Sequence, residues 1–399
     1  MSWLAGRGDI LAGGFLLIFA SGPGQTWFIA LSGPALRGEL GLSHGTFGVL
    51  YALATLASGT LLLWLGAAVD RLPARHMAVP VTLGLGLACL AMAAVADPIL
   101  LVATLFGLRL CGQGLMTHLA LTTVARGFPV GRGRALSLAA LGFNAGEALL
   151  PLAVAAAIAG LGWRPTWAVT GACVILVLPA LSAFLLRRAP SPMPQDPGGG
   201  ASGLTRGQIV RSARFALLLP ALLSTGFIAT ALFFHQGAIA TAKAWPAGWF
   251  AICVPVYAVT SIAANLLSGL LVDRIGARAV LPWFVLPLAL GVALLAASNA
   301  PYAALLAMAL VGLTAGSGNT VLTAGLAEIY GMASLGTVRA LAAAAMVLAS
   351  AASPAIAGLA LDAGTPVAAI LLAFAGMAVV AGPLAARGAA AAAVARSSA

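Results

Sequence analysis

The sequence predicts an all-α membrane protein with twelve transmembrane helices in two pseudo-symmetric six-helix bundles. Three observations carry that expectation. First, apolar residues make up 62% of the 399-residue chain and charged residues only 7%, whereas an ordinary soluble domain is about a quarter charged. With a mean hydropathy of +1.07, the expected solvent is lipid. Second, apolar runs recur at about the 20 residues that a hydrocarbon core of roughly 30 Å requires. Third, the second half of the chain repeats the first.

The expected spans lie near 10–35, 45–69, 77–96, 98–124, 135–160, 166–186, 215–241, 247–271, 279–298, 301–328, 337–361 and 365–386. Only Arg7 precedes the first apolar run, and no lipidation motif is evident, so the first helix is expected to stay in the membrane. The longest polar stretch, 187–212, contains Pro190, Pro192, Pro194, Pro197 and Gly198 to Gly200. Such a composition reads as a flexible cytoplasmic linker. It separates an N-terminal bundle, 1–186, from a C-terminal bundle, 213–399.

Charge then sets orientation. Of twenty Lys and Arg, sixteen fall at the N-terminus, the even-numbered loops or the C-terminus. Arg37, Arg164 and Lys243 fall on the other face, and Arg109 within a span. That bias places both termini in the cytoplasm. Trp163, Trp167, Trp245 and Trp249 are expected at outer helix ends, in the interfacial belt. The net charge of +11 does not imply nucleic acid, because the basic residues sit singly or in pairs between apolar runs. Cys89, Cys111, Cys173 and Cys253 lie inside apolar runs without a CxxC partner, so neither a disulfide nor a metal site is expected.

The repeat is specific. GAAVDRLPAR, Gly66 to Arg75, recurs as GLLVDRIGAR, Gly269 to Arg278, at an offset of 203 residues. Pro98 and Pro301, Gly112-Gln-Gly114 and Gly316-Ser-Gly318, Arg134-Ala-Leu136 and Arg339-Ala-Leu341, and Pro151 and Pro354 match at offsets of 203 to 205. The halves run parallel. This organisation resembles the major facilitator superfamily, whose G-x-x-x-D-R-x-G-x-R loop stands in both halves. Pro73 replaces the preferred glycine in the first copy. The run from Arg109 through Gly112-Gln-Gly114 resembles a second signature of that family. The resemblance implies a secondary transporter, with a substrate cavity lined mainly by spans 1, 4, 7 and 10, working by alternating access.

Asp70 and Asp273 stand at cytoplasmic helix ends beside Arg71, Arg75, Arg274 and Arg278. They are read either as a cytoplasmic latch or as ordinary interfacial charges in tight turns; Glu328 and Arg339 flank the loop between spans ten and eleven and are candidates for the same network. Arg109 lies about 16 Å along span four, near the midplane, where a charge is a functional hypothesis by default. Glu147 lies at a matching depth in span five. The pair is read either as an anion site with a proton-exchanging carboxylate, or as a permanent ion pair that fixes packing. Its repeat counterparts, Leu313 and Ser350, carry no charge. Gln25 and Thr26 follow Gly22-Pro-Gly24, which is expected to kink or unwind span one. Gln113, His235, Gln236, Asn319 and Thr320 are further cavity candidates, each also readable as a packing residue. His118, His44 and His76 rank lower.

Together these features predict a transporter of a small organic solute, organic anions among the candidates, coupled to protons, working as a monomer in a bacterial inner membrane, with no cofactor, metal or nucleic-acid partner. A drug or metabolite antiporter is the alternative. Such antiporters place G-x-x-x-G-P in span five, whereas this chain reads Gly142-Phe-Asn-Ala-Gly146-Glu147, with the proline delayed to Pro151. A non-transporting sensor is more remote, and no nucleophile–base constellation points to an enzyme.

Overall fold

A computed structural model describes residues 6–191, 203–246 and 248–397, with the side chains of 67–70 and 391–397 outside the description. The described residues form helices joined by short turns, and contain no strand. Among the described residues, eleven helical segments are long and apolar enough to cross a membrane. Several are far less buried than core helices: 132–161 and 163–185 have only 22% of their apolar window covered by protein. Leu63, Trp64 and Leu176 are more than three-quarters exposed. Water would not tolerate such faces, and lipid does.

The chain packs as two compact units, Met1–Asp196 and Pro197–Ala399. In unit 1 the first apolar segment is α1 (Gly8–Ala20) and α2 (Thr26–Leu31), followed by the short α3 (Gly33–Leu40). Then come α4 (His44–Arg71) and α5 (Ala74–Ala93). The fourth segment is α6 (Pro98–Leu108), a π-helical stretch (Arg109–Met116) and α7 (Thr117–Gly127). The unit closes with α8 (Arg132–Leu161) and α9 (Trp163–Leu185). The start of α6 follows directly from sequence. Asp97 accepts from the backbone N–H groups of Ile99 and Leu100 at 2.9 Å each, and Pro98 occupies the first turn, where its missing N–H costs nothing.

Unit 2 opens with α10 (Arg206–Val210), α11 (Ala213–Phe234) and α12 (Gln236–Ala242), followed by α13 (Trp249–Ile275), α14 (Ala277–Val280) and α15 (Leu286–Ala297). It ends with α16 (Pro301–Tyr330), α17 (Met332–Asp362) and α18 (Val367–Ser397). Helix pairs repeat between the units. In unit 1, α1 packs on α8, α4 on α6, and α5 on α9; in unit 2, α11 packs on α17, α13 on α16, and α15 on α18.

Two expectations are corrected. The expected linker, 187–212, is ordered at its far end. Thr205 and Gln208 form a reciprocal capping box that starts α10, Ile209 is fully buried in the core of unit 2, and Ser212 caps α11 through the Phe215 N–H. Pro192, Pro194, Pro197 and Gly198 to Gly200 lie outside the described residues. The expected span at 279–298 is not one continuous helix, because Pro282 and Pro287 cannot donate to it. Turns carry the chain from Leu281 to Val285, and Thr314 Oγ1 of α16 accepts the Leu288 N–H at 3.0 Å. The four tryptophans stand at or near helix ends and are tied into the fold there. Trp163, Trp167 and Trp245 are under 8% exposed, and all four indoles donate inward, to Glu39, Ser32, the Asn299 carbonyl and the Pro301 carbonyl. A buried indole N–H requires an acceptor, and the tertiary structure supplies one.

Two of the cations expected on the outer face act as helix caps. Arg164 binds the Ala93 and Val95 carbonyls at the end of α5, at 2.9 and 2.7 Å, and pairs with Glu39 at 2.9 Å. Lys243 does the same after α15, donating to the Ser298 carbonyl at 2.7 Å and Asn299 Oδ1 at 3.1 Å. Trp163 and Arg164 hold the Glu39 carboxyl below its ordinary value of 4.5. A depressed carboxylate stabilises the fold above its unfolded pKa and loses that contribution as pH falls through the folded value. Thermal unfolding followed from about pH 6 down to about pH 3 is therefore expected to show an acid-side loss that Glu39→Gln lacks. The effect is small, because the pair is exposed.

Candidate functional site

The site grows from two local irregularities in unit 1. At Gly22–Gly24 the first helix tightens into a single 3₁₀ turn around Pro23, Gln25 then adopts an extended conformation (φ −84°, ψ 148°), and α2 restarts at Thr26. The expected unwinding of span one is present. Opposite it lies the π-helical stretch Arg109–Met116, which packs against this turn. Such bulges concentrate at functional positions. The two are in backbone contact. A Cβ added to Gly24 would meet Gln113 N at 2.7 Å and Gly112 Cα at 2.8 Å, and one added to Gly112 would meet Gly24 Cα at the same distance. Only glycine at both positions permits this approach.

Arg109 closes the contact. Its guanidinium Nη1 donates to the Gly24 carbonyl at 3.1 Å, and its Cζ sits 5.2 Å from the centroid of the Tyr51 ring. The carbonyl belongs to the turn that interrupts the first helix, so the arginine satisfies an acceptor released by the break. Tyr51 is fully buried on α4, and its hydroxyl shares a 2.6 Å hydrogen bond with Thr26 Oγ1. Gln25 Nε2 donates to Ser21 Oγ at 3.2 Å. Arg109 is 5% exposed, and its Nε is buried with no hydrogen-bond partner. A guanidinium carries five donors, and a buried one normally has most of them engaged. This one is held in place yet incompletely satisfied.

Of the residues singled out from sequence, the structure brings Gln25, Thr26 and Arg109 together, with half-buried Gln113 on the π-helical stretch beside them. Tyr51 was not legible, because nothing in an apolar run marks which residue will lie under an arginine. Glu147 is half-buried on α8, and no ion pair joins it to Arg109 among the described residues. The permanent ion-pair reading of these two residues is therefore not what this structure holds.

The unit 2 candidates separate into different places. His235 ends α11, and its Nε2 lies 2.9 Å from the Pro354 carbonyl of α17. The adjoining cavity of about 20 Å³ admits a water but no solute. Gln236 beside it is buried at the start of α12. Thr320 Oγ1 donates to Asn265 Oδ1 at 3.0 Å, tying α16 to α13. Asn319 faces elsewhere, lining a cavity of about 250 Å³ with Thr225, Thr323, Met346 and Arg339. Arg339 thus stands with Asn319 and has no hydrogen bond or ion pair among the described residues.

The loop residues form a partial network. Glu328, at the end of α16, accepts from the backbone N–H groups of Ala277 and Arg278 at 2.8 and 3.2 Å, capping α14 just after Gly276 (φ 82°). Arg278 donates back to the Glu328 carbonyl, with its Nε 3.9 Å from the carboxylate. Asp273, Arg274 and Arg71 are exposed, and Arg75 Nε donates to His76 Nε2 at 3.2 Å. The Asp70 side chain lies outside the described residues.

Comparison with known proteins fits this arrangement. The family model described as the Major Facilitator Superfamily matches residues 14–254. No curated protein matches significantly in sequence. Among solved structures, a bacterial homologue of the human lysosomal transporter Spinster, inward-facing and unoccupied, aligns with a TM-score of 0.74 at 17% identity, covering 96% of this chain and 97% of that one. The occupied form of that homologue gives 0.68 at 16% identity, covering 98% and 97%. The nucleoside transporter NupG gives 0.72 at 13% identity, covering 95% and 98%. At these identities the likeness speaks for the fold, while the family match covers more than half of the chain. With eleven membrane-length helices among the described residues, this chain is a multi-pass membrane transporter of a small molecule, and it belongs to the Major Facilitator Superfamily.

Proposed function

We propose that the chain is a proton-coupled secondary transporter of a small organic anion, exposing one site alternately to the two sides of a bacterial inner membrane. One observation carries the anion: Arg109, at membrane depth, is fixed by Gly24 and Tyr51 but keeps a buried, unpartnered Nε. Removing a cation from water costs several kcal/mol. One carbonyl and one ring offset that only in part, and an incoming carboxylate or phosphate would complete it through a charge-assisted hydrogen bond. Gln25 and Gln113 beside the helix break supply neutral donors and acceptors for the remainder of the solute.

Glu147 is the acidic group in this reading. A carboxylate at membrane depth is a functional hypothesis by default, and Glu147 would exchange a proton as the site fills and empties. The chain would cross the membrane twelve times, with both termini cytoplasmic. The region from Ala277 to Ala297 supplies the twelfth crossing as a kinked pair, α14 and α15. Asp70 and Asp273, with their neighbouring arginines, would latch the cytoplasmic side, and the monomer would suffice for transport.

Proteoliposomes test the coupling. A solute is first found by a thermal-shift screen of organic anions, since a ligand of the folded state raises its stability. An inward-directed proton gradient, acidic outside the vesicles, is expected to drive its accumulation. Glu147→Gln is expected to abolish that gradient dependence while leaving solute exchange at equal pH. Undiminished pH-driven accumulation by Glu147→Gln would remove Glu147 from the coupling role.

A further inference from the structure

Unit 1 carries an apolar groove of about 610 Å³ that plays no part in the site around Arg109. Its walls come from three helices: Leu11, Ala12 and Phe15 of α1, Leu138 and Leu141 of α8, and Leu181 of α9. The volume suits a single ligand chain held between helices. Most lipid-facing surfaces of a helix are convex and hold no lipid in one place. This one is concave over the first turns of α1.

Arginines flank two of its walls in sequence. Arg134 stands one turn before Leu138 on the same face of α8. Arg188 follows the last turn of α9, three residues after Leu185, another wall residue. Both are exposed, and neither has a hydrogen bond or ion pair among the described residues. Their neighbours are engaged: Arg7 donates to the Gly127 carbonyl at 2.8 Å, and Arg187 stacks on the Phe184 ring at 3.8 Å. The acidic residue nearby is Asp9, whose Oδ1 accepts from the Ile10 N–H at 2.9 Å.

We propose that this groove binds one anionic phospholipid of the surrounding membrane, with an acyl chain between α1, α8 and α9 and the phosphate between Arg134 and Arg188. Basic pockets between membrane helices recognise acidic head groups through added positive charge near the surface. A zwitterionic lipid would fill the same groove, but its ammonium would oppose the two arginines. The apolar walls therefore give affinity for any two-chain lipid, and the arginines give the preference for a net negative head group.

The test uses the purified full chain in detergent with an equimolar mixture of phosphatidylglycerol and phosphatidylcholine, bound lipid being read by native mass spectrometry. The unaltered protein is expected to retain phosphatidylglycerol over phosphatidylcholine by roughly tenfold. Arg134→Gln with Arg188→Gln is expected to bring the ratio close to one. Arg206→Gln with Arg211→Gln removes the same charge from exposed positions of unit 2 and is expected to keep the preference. Ala12→Phe fills the groove and is expected to lower retention of both lipids. Equal retention of the two lipids by the unaltered protein, or an equal loss of preference in the two double variants, would overturn the proposal.

Discussion

Arg109→Leu is expected to reduce solute flux in proteoliposomes by about a hundredfold, while Arg109→Lys retains a measurable part of it. The magnitude follows from one charge-assisted hydrogen bond, worth about 1.5–3 kcal/mol, or roughly ten- to a hundredfold in binding. The upper end applies because the leucine also leaves the buried Gly24 carbonyl without its donor. A role in packing alone predicts something different. Arg109→Leu would then lower the melting temperature, yet the protein that remained folded would bind the anion as before. The two are separated by measuring solute affinity and thermal stability on the same preparation. Lysine supplies the charge but not the planar fork, so it serves one partner where arginine serves two. An Arg109→Leu protein with unchanged affinity for the anion would refute the assignment.

Gly316→Val is expected to destabilise unit 2 by about 3 kcal/mol or more. Helices α13 and α16 cross at Gly312 and Gly316, a pair of small residues one turn apart. A Cβ on Gly316 would fall on the Ser261 main chain, 2.8 Å from its Cα and closer still to its carbonyl. Overpacking typically costs about 1–3 kcal/mol when side chains can shift. Here the obstruction is backbone on both sides, and relief requires separating two helices of 27 and 30 residues. Gly318→Ala is the control. Its Cβ would reach only the Phe284 ring at 3.7 Å, an ordinary contact, and little change is expected. Equilibrium unfolding of both variants in the same detergent checks the contrast.

Hydropathy and the repeat placed most helices within a few residues, because lipid imposes one simple rule on a long apolar run. They erred where backbone chemistry overrides composition. The helix beginning at Met332 starts five residues before the apolar run predicted at 337, because nothing stops a helix from projecting beyond hydrocarbon. Residues 203–212 read as linker because their neighbours are rich in Pro and Gly, although Thr205 and Gln208 have the spacing of a capping box. In the site, Arg109 was legible as a charge at depth and Gly22-Pro-Gly24 as a break. Their meeting was not, since it depends on which face of one helix meets which turn of another. The tryptophans show the same limit. Composition marks rings suited to an interface, but the acceptors that draw them inward are 50 to 135 residues distant in sequence.

Helix α15 has 12 residues, about 18 Å of rise against a hydrocarbon core of roughly 30 Å. It is too short to enter a bilayer as an independent unit. Its first turn leaves backbone N–H groups that lipid cannot satisfy, and one of them, the Leu288 N–H, finds its acceptor in Thr314, 26 residues later. During synthesis this segment is therefore expected to settle only once α16 has emerged beside it. Insertion of α15 is accordingly expected to depend on α16: a nascent chain ending between them is expected to leave α15 without a fixed place in the bilayer.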